Sequence, residues 1–215
     1  VYAALCRQLD KPLCIVTPGE AEATRFAADL NTLGIPAAVF PARDYVLRPI
    51  EGTAREYEYR RLAVLGELVG GRLRAVAVPA EALTQFTTPK EDFCANTRTL
   101  HTGDTLLRDD LLAALFGAGY TRRAQVDGPG QFSVRGDIVD IFAPDQKMPV
   151  RMEFWGDEID TLHTFDLTTQ RREDAIDKFY LSPAREVLFG KPADAAEQLR
   201  AFLAKQRGKK KTAMA

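Results

Sequence analysis

Residues able to ligate a metal or act as a nucleophile are scarce. The chain has two histidines and three cysteines in 215 residues. Cys6, Cys14 and Cys94 are odd in number, widely spaced and form no C-x-x-C, which argues against a zinc site or a disulfide framework. Reduced thiols in a cytoplasm fit best. His101 and His163 stand alone, without partners at metal-ligand spacing, and a lone strand histidine is usually surface or core filling. Ser133 and Ser182 have no neighbouring histidine, and there is no G-x-S-x-G elbow. No apolar run approaches the roughly 18–20 residues that a membrane span requires. No charged-then-apolar leader follows Val1, so no secretory signal is expected, and the chain reads as a piece of a longer one. Net charge is −1, from 29 basic and 30 acidic residues, which excludes a generally polyanion-binding chain. The basic pairs Arg60-Arg61 and Arg122-Arg123 have too few aromatics around them to form a stacking platform for nucleic acid. Lys209-Lys210-Lys211 reads as a solvated tail.

What is present is ordinary for a soluble globular protein: 46% apolar and 27% charged residues, in a length that suits one or two domains. Leu13 to Val16 reads as a buried strand meeting the turn Thr17-Pro18-Gly19. A helix follows from Glu20, with Ala23, Phe26, Ala27, Leu30 and Leu33 on one side, stopped by Gly34. Ala37 to Phe40 is the next strand and residues 41–52 a loop. Thr53-Ala54-Arg55-Glu56 has the form of a capping box, opening a helix to about Val69. Ala75 to Val78 is a third strand, with a short helix over Ala80 to Phe86. Strand-helix-strand-helix-strand predicts crossovers and a mostly parallel sheet. After Pro89 the rhythm changes. A strand over Thr97 to His101 precedes an amphipathic helix marked by Leu107, Leu111, Leu115 and Phe116. Closely spaced strands come next, ending near Tyr180 to Pro183. Ala193 to Gln206 reads as a final helix, with Ala196, Leu199 and Leu203 on one face.

The first strand-to-helix turn is where a phosphate-binding loop would sit. Such a loop needs glycines so that backbone N–H groups can wrap phosphate, then Lys and Ser/Thr. The turn Thr17-Pro18-Gly19-Glu20-Ala21-Glu22 has one glycine and no lysine. Pro18 lacks an N–H, and Glu20 and Glu22 repel phosphate while suiting the positive end of the helix dipole. No nucleotide site and no cofactor are expected. Asp109-Asp110 reads as the same dipole chemistry at another helix start. The acidic cluster Asp157, Glu158 and Asp160 reads as a solvated hairpin turn rather than an acid–base or cation site.

Gln131 to Asp166 alternates apolar and polar residues, strand after strand, with turns at Gly136-Asp137, Pro144-Asp145 and Gly156-Asp157. Val150, Met152 and Phe154 alternate with Arg151, Glu153 and Trp155. Arg135 and Arg151 are expected to project from neighbouring strands on the polar side, with Trp155 on the face of Arg151. Composition alone is compatible with solvated arginines and a half-buried indole. Arginine beside an exposed aromatic is also the make-up of a protein-binding hot spot.

The strings VRGDIVDIF, PVRMEFWGDEID and TFDLTTQR resemble the UvrB-interaction domain shared by UvrB and bacterial transcription-repair coupling factors (Mfd). In that family the domain binds the excision-repair protein UvrA. The family's contact residues, an arginine in the VRG motif, the arginine opening R-x-E-F-F and the second aromatic of that motif, fall on Arg135, Arg151 and Trp155. The aromatic is usually Phe. Ser133-Val134-Arg135 stands where UvrB carries R-V-R, and UvrB keeps an intact phosphate loop in its first turn. Both departures favour the coupling factors over the runner-up, a fragment or decayed relative of the helicase-like UvrB. The resemblance implies an α/β fold: a mostly parallel βαβ domain, degenerate at its phosphate loop, with an inserted α+β, largely antiparallel UvrA-binding module. The first half of the α/β domain would be residues 1–96, the module 97–182 and the returning segment 183–215. It further implies a non-catalytic adaptor whose partner is UvrA. RNA polymerase and double-stranded DNA would be bound by other domains of the whole protein, with no membrane involved.

Overall fold

A computed structural model describes residues 1–43, 54–187 and 200. The candidate capping residue Thr53, most of the 41–52 loop and the helix expected over 193–206 lie outside the described residues, apart from Arg200.

The first part of the chain is layered around three parallel strands in the order β1-β3-β2: β1 (Leu13–Thr17), β2 (Ala37–Val39) and β3 (Ala75–Pro79). The central strand β3 is buried along its whole length, as a strand covered on both faces must be. Its alternation decides which helix covers which side. Ala75 and Ala77 are small and receive α2 (Glu20–Thr32) through Ala23, Ala27 and Leu30. Val76 and Val78 face Phe40, Val64 and Leu73, with α3 (Ala54–Val69) lying over them. The α1 helix (Tyr2–Gln8), which the periodicity did not mark, closes the end of the α2 side through Cys6. The short helices α4 (Ala80–Leu83) and α5 (Lys90–Ala95) lead out of this layer.

The second part is a six-stranded sheet in the order β10-β9-β8-β7-β6-β5. Its strands are β5 (Thr121–Arg122), β6 (Gln131–Arg135), β7 (Ile138–Phe142), β8 (Val150–Trp155), β9 (Glu158–Phe165) and β10 (Arg172–Ala175). All pairs are antiparallel except β5 with β6. Its inner face, with Phe132, Val139, Ile141, Met152, Phe154 and Leu162, packs on Leu111 and Leu115 of α6 (Arg108–Gly117). The β6–β7 and β8–β9 hairpins turn on Gly136 (φ 60) and Gly156 (φ 63), each followed by an Asp at negative φ. Glycine alone at the first central position is the type II′ pattern, whose twist matches paired strands. One residue slips in β9, where Glu153 faces Thr161 and Phe154 faces Ile159. That bulge explains why Ile159 and Leu162, three apart, share the inner core, while Phe165 lies on the outer face with Val126 and Phe142.

Two strands unite the ends of the second part: β4 (Arg98–His101) pairs antiparallel with β11 (Lys178–Leu181). The chain then returns to the first layer. Ser182 donates to Asp145 at 2.6 Å, and the Tyr120 hydroxyl donates to the Ser182 carbonyl at 2.7 Å. Burial, reinforced by the Asp145 charge, pushes the Tyr120 phenol well up. Tyr59 of α3 lies so close to Gly130 that a Cβ there would sit 2.5 Å from its hydroxyl.

Glu186 ties the returning chain to the first layer. Its carboxylate, with no side-chain exposure, accepts two hydrogen bonds from Arg61 Nε (3.1 and 2.9 Å) and one from Arg61 Nη2 (2.8 Å). Arg43 joins at 2.7 Å. Arg61 is itself fully buried, donates to the Pro41 carbonyl at 2.7 Å and stacks 4.0 Å from the Phe40 ring. The Arg60-Arg61 pair therefore offers nucleic acid only Arg60. Burial pushes the Glu186 carboxyl up, and hydrogen bonds from Arg61, Thr87 and Arg43 outweigh it, holding the group below its ordinary value. A depressed carboxylate stabilises the fold above its unfolded pKa and loses that contribution as it protonates. Unfolding free energy should thus decline as pH falls below about 4.5. Glu186→Gln should cost about 3–5 kcal/mol at neutral pH, because Arg61 is left as an unpaired buried charge. It should also flatten the acid limb. Urea titrations of both proteins across that pH range measure the two effects.

Candidate functional site

The outer face of the six-stranded sheet carries the three residues singled out from sequence. Strand alternation places Ser133 and Arg135 of β6, Ile138 and Asp140 of β7, and Arg151, Glu153 and Trp155 of β8 on this side. The expectation that Arg135 and Arg151 project from neighbouring strands is corrected: β7 runs between them, with Ser133 opposite Asp140 and Asp140 opposite Arg151. The hairpin order inserts β7, and its Asp140 becomes the group the two arginines share.

Asp140 has no exposed surface. Its Oδ1 accepts from Arg151 Nε at 2.6 Å, and its Oδ2 accepts from Arg151 Nη2 at 2.9 Å and Arg135 Nη2 at 2.6 Å. The Ser133 hydroxyl lies at 3.5 Å. A buried carboxylate requires such partners, because an uncompensated charge out of water costs several kcal/mol.

Arg151 is not a solvated arginine. It is 9% exposed, donates from Nη1 to the Gln170 carbonyl at 3.2 Å, and lies 4.7 Å from the Phe165 ring. The hydrogen bonds to Asp140 raise its pKa further. The loop after β9 supplies that carbonyl. Asp166 Oδ1 accepts the N–H groups of Thr168 (3.1 Å) and Thr169 (2.7 Å), which hold its carboxyl below the usual range. Gln170 takes the left-handed conformation (φ 59), an unusual state for a non-glycine residue.

Arg135 and Trp155 are the accessible members. The Arg135 side chain is 47% exposed and Trp155 is 82% exposed. Arg135 faces Ile138, which faces Glu153 in the next strand, so a row crosses the sheet toward the end of β8 that carries the indole. Glu153 is ion-paired with Arg172 of β10. An indole at that exposure, on a sheet that buries its other aromatic side chains, has no packing role within the described residues.

Asp140 and Arg172 were not marked in the sequence. Asp140 sits within the apolar run IVDIF, and a carboxylate between four apolar residues was the available signal. His101 takes its place beside Asp104, 3.5 Å away at the surface, and His163 lies opposite Arg151. Cys6, Cys14 and Cys94 are free thiols. Among the described residues there is no group of three metal-ligating side chains, and no helix long and apolar enough to cross a membrane. At the first turn, Thr17 Oγ1 donates to the Gly19 carbonyl at 2.8 Å and α2 starts on Gly19.

Comparison with known proteins bears on this face directly. Residues 99–187 match the family described as UvrB interaction domain, a span that begins in β4 and ends beyond Glu186. The chain is 35% identical over 199 residues to the transcription-repair-coupling factor of Myxococcus xanthus, covering 87% of this chain and 16% of that protein. It is 37% identical over 185 residues to that of Mycobacterium bovis (82% and 15%), and 28% identical over 188 residues to that of Bacillus subtilis (86% and 16%). The chain thus spans about one-sixth of the length of the curated relatives it matches. The outer face with Arg135, Asp140, Arg151 and Trp155 lies inside the span that matches the UvrB interaction domain family, on a chain that is similar over most of its length to one part of transcription-repair-coupling factors.

Proposed function

We propose that this chain is a non-catalytic, cytoplasmic adaptor region of a transcription-repair coupling factor, and that it recruits UvrA through the outer face of its six-stranded sheet. The observation that carries the reading is the pair of Trp155, exposed and without a packing role among the described residues, and Arg135, half exposed, within the matched family span. Aromatic and arginine side chains together are the usual anchors of a protein interface. Arg135 would meet a carboxylate of UvrA, Trp155 an apolar recess, and Arg151 would support the face from beneath. RNA polymerase and double-stranded DNA belong to other parts of the whole protein.

Arg135→Ala and Trp155→Ala should each weaken UvrA binding at least tenfold, about 1.4 kcal/mol, with the thermal midpoint nearly unchanged. Parent-like binding by both would place the interface elsewhere. Arg151→Ala should behave differently, since it removes two of the three arginine hydrogen bonds on the buried Asp140 and leaves only the half-exposed Arg135 beside it: a loss of about 3 kcal/mol of stability, read by urea titration.

The domain division belongs to the same reading, with 97–182 as an inserted module between 1–96 and 183–215. Residues 97–182 expressed alone should fold and hold the whole UvrA affinity. A folded module that does not bind, beside a full chain that does, would overturn this. The chain should also neither bind nor hydrolyse ATP, because the Thr17–Glu22 turn offers phosphate two carboxylates and a proline in place of N–H donors and a lysine. Calorimetric titration showing micromolar affinity would contradict it.

A further inference from the structure

The two arginines of the outer face differ in what they can offer a partner. Arg151 Nε, Nη1 and Nη2 are each already hydrogen-bonded within the chain, and the side chain is 10% exposed. Arg135 commits only Nη2, to Asp140, and its Nε and Nη1 make no hydrogen bond among the described residues. The single carboxylate between them is wholly buried, in the middle of β7 and held by backbone pairing on both sides. A carboxylate so fixed holds whatever donates to it. Arg151 grips it at two points in a planar fork, leaving part of Oδ2 directed at Arg135.

Building on the UvrA-docking reading above, we infer that Asp140 and Arg151 are positioning residues, which act by presetting the Arg135 guanidinium for the partner. Asp140 tethers one nitrogen of Arg135 and so limits the rotamers of an otherwise half-exposed side chain. Less conformational freedom is then lost when the remaining donors meet a carboxylate on UvrA. Arg151 neutralises Asp140 and fixes its orientation, itself braced by the Gln170 carbonyl and Phe165. The three charges sum to one positive charge, displayed at Arg135.

A double-mutant cycle tests this, because a purely structural role for Asp140 would not change what Arg135 is worth. UvrA affinity is measured for the parent chain, Arg135→Ala, Asp140→Asn and the double variant, with Trp155→Ala in both backgrounds. The thermal midpoint of each is recorded. Asp140→Asn keeps the shape and one acceptor oxygen. The expected result is a loss of about tenfold for Asp140→Asn alone. Arg135→Ala should then cost less than about threefold in the Asp140→Asn background, and Trp155→Ala the same in both. An undiminished cost of Arg135→Ala in the Asp140→Asn background overturns the positioning role while leaving the docking reading intact. If Arg135→Ala binds like the parent in the unaltered chain, the docking reading itself fails and this inference with it. The same cycle in an Arg151→Lys background, where the charge beside Asp140 is kept and its two-point grip is lost, gives the answer should Asp140→Asn not fold. Reduced coupling there supports the role, and full additivity overturns it.

Discussion

A carboxylate with no access to water sits at the centre of the antiparallel sheet, and the outer face is organised around neutralising it. Asp140 can remain charged there only with cations at hydrogen-bond distance, and the neighbouring strands supply one each: Arg135 from β6 and Arg151 from β8. The requirement propagates outward. Arg151 must be shielded and satisfied in turn, so the loop after β9 brings the Gln170 carbonyl to Nη1 and Phe165 to its flat side. That loop is held by Asp166 accepting two backbone N–H groups, and it places Leu167 against Phe165 and Val126. One half of the outer face is thereby closed into a small second core. The half bearing Arg135, Ile138, Glu153 and Trp155 stays open.

A second buried carboxylate does comparable work where the chain returns to its first layer. Glu186 closes onto Arg61 and Arg43 across more than a hundred residues of sequence. The β4–β11 pair brings the two ends of the intervening segment together, and the Tyr120–Ser182–Asp145 hydrogen bonds lie beside it. Both ion clusters are poor candidates for net stabilisation against well-packed apolar side chains of equal volume. Their value is geometric, since a charge that must find its partner permits one arrangement of strands and one path for the returning chain.

These two constraints separate what holds the face from what the face displays. Asp140, Arg151, Arg61 and Glu186 are covered, while Arg135 is half exposed and Trp155 remains almost wholly in water. A large indole kept exposed has a hydration cost that burial against another apolar surface would remove.

Periodicity by itself indicated a mostly parallel sheet with helices over it, the turns at Gly136 and Gly156, and many of the core residues; the strand order β1-β3-β2 came from the structure, and Leu33, Leu107 and Phe116, placed on apolar helix faces by their spacing, are exposed. Those features are local: spacing, turn chemistry and apolar alternation act within a few residues. The short elements α1, α5, β5 and β10 were not legible, because pieces of two to seven residues owe their form to what they pack against. The resemblance of three short strings picked out Arg135, Arg151 and Trp155, yet nothing in the linear order separated their roles. Only the tertiary structure put β7 between the two arginines, made Arg151 an internal strut of Asp140, left Arg135 reaching outward and stood Trp155 in solvent. The reason is physical: exposure and ion pairing are set by which strands lie side by side and by which loop folds over them, relations that span tens of residues and leave no period in the sequence.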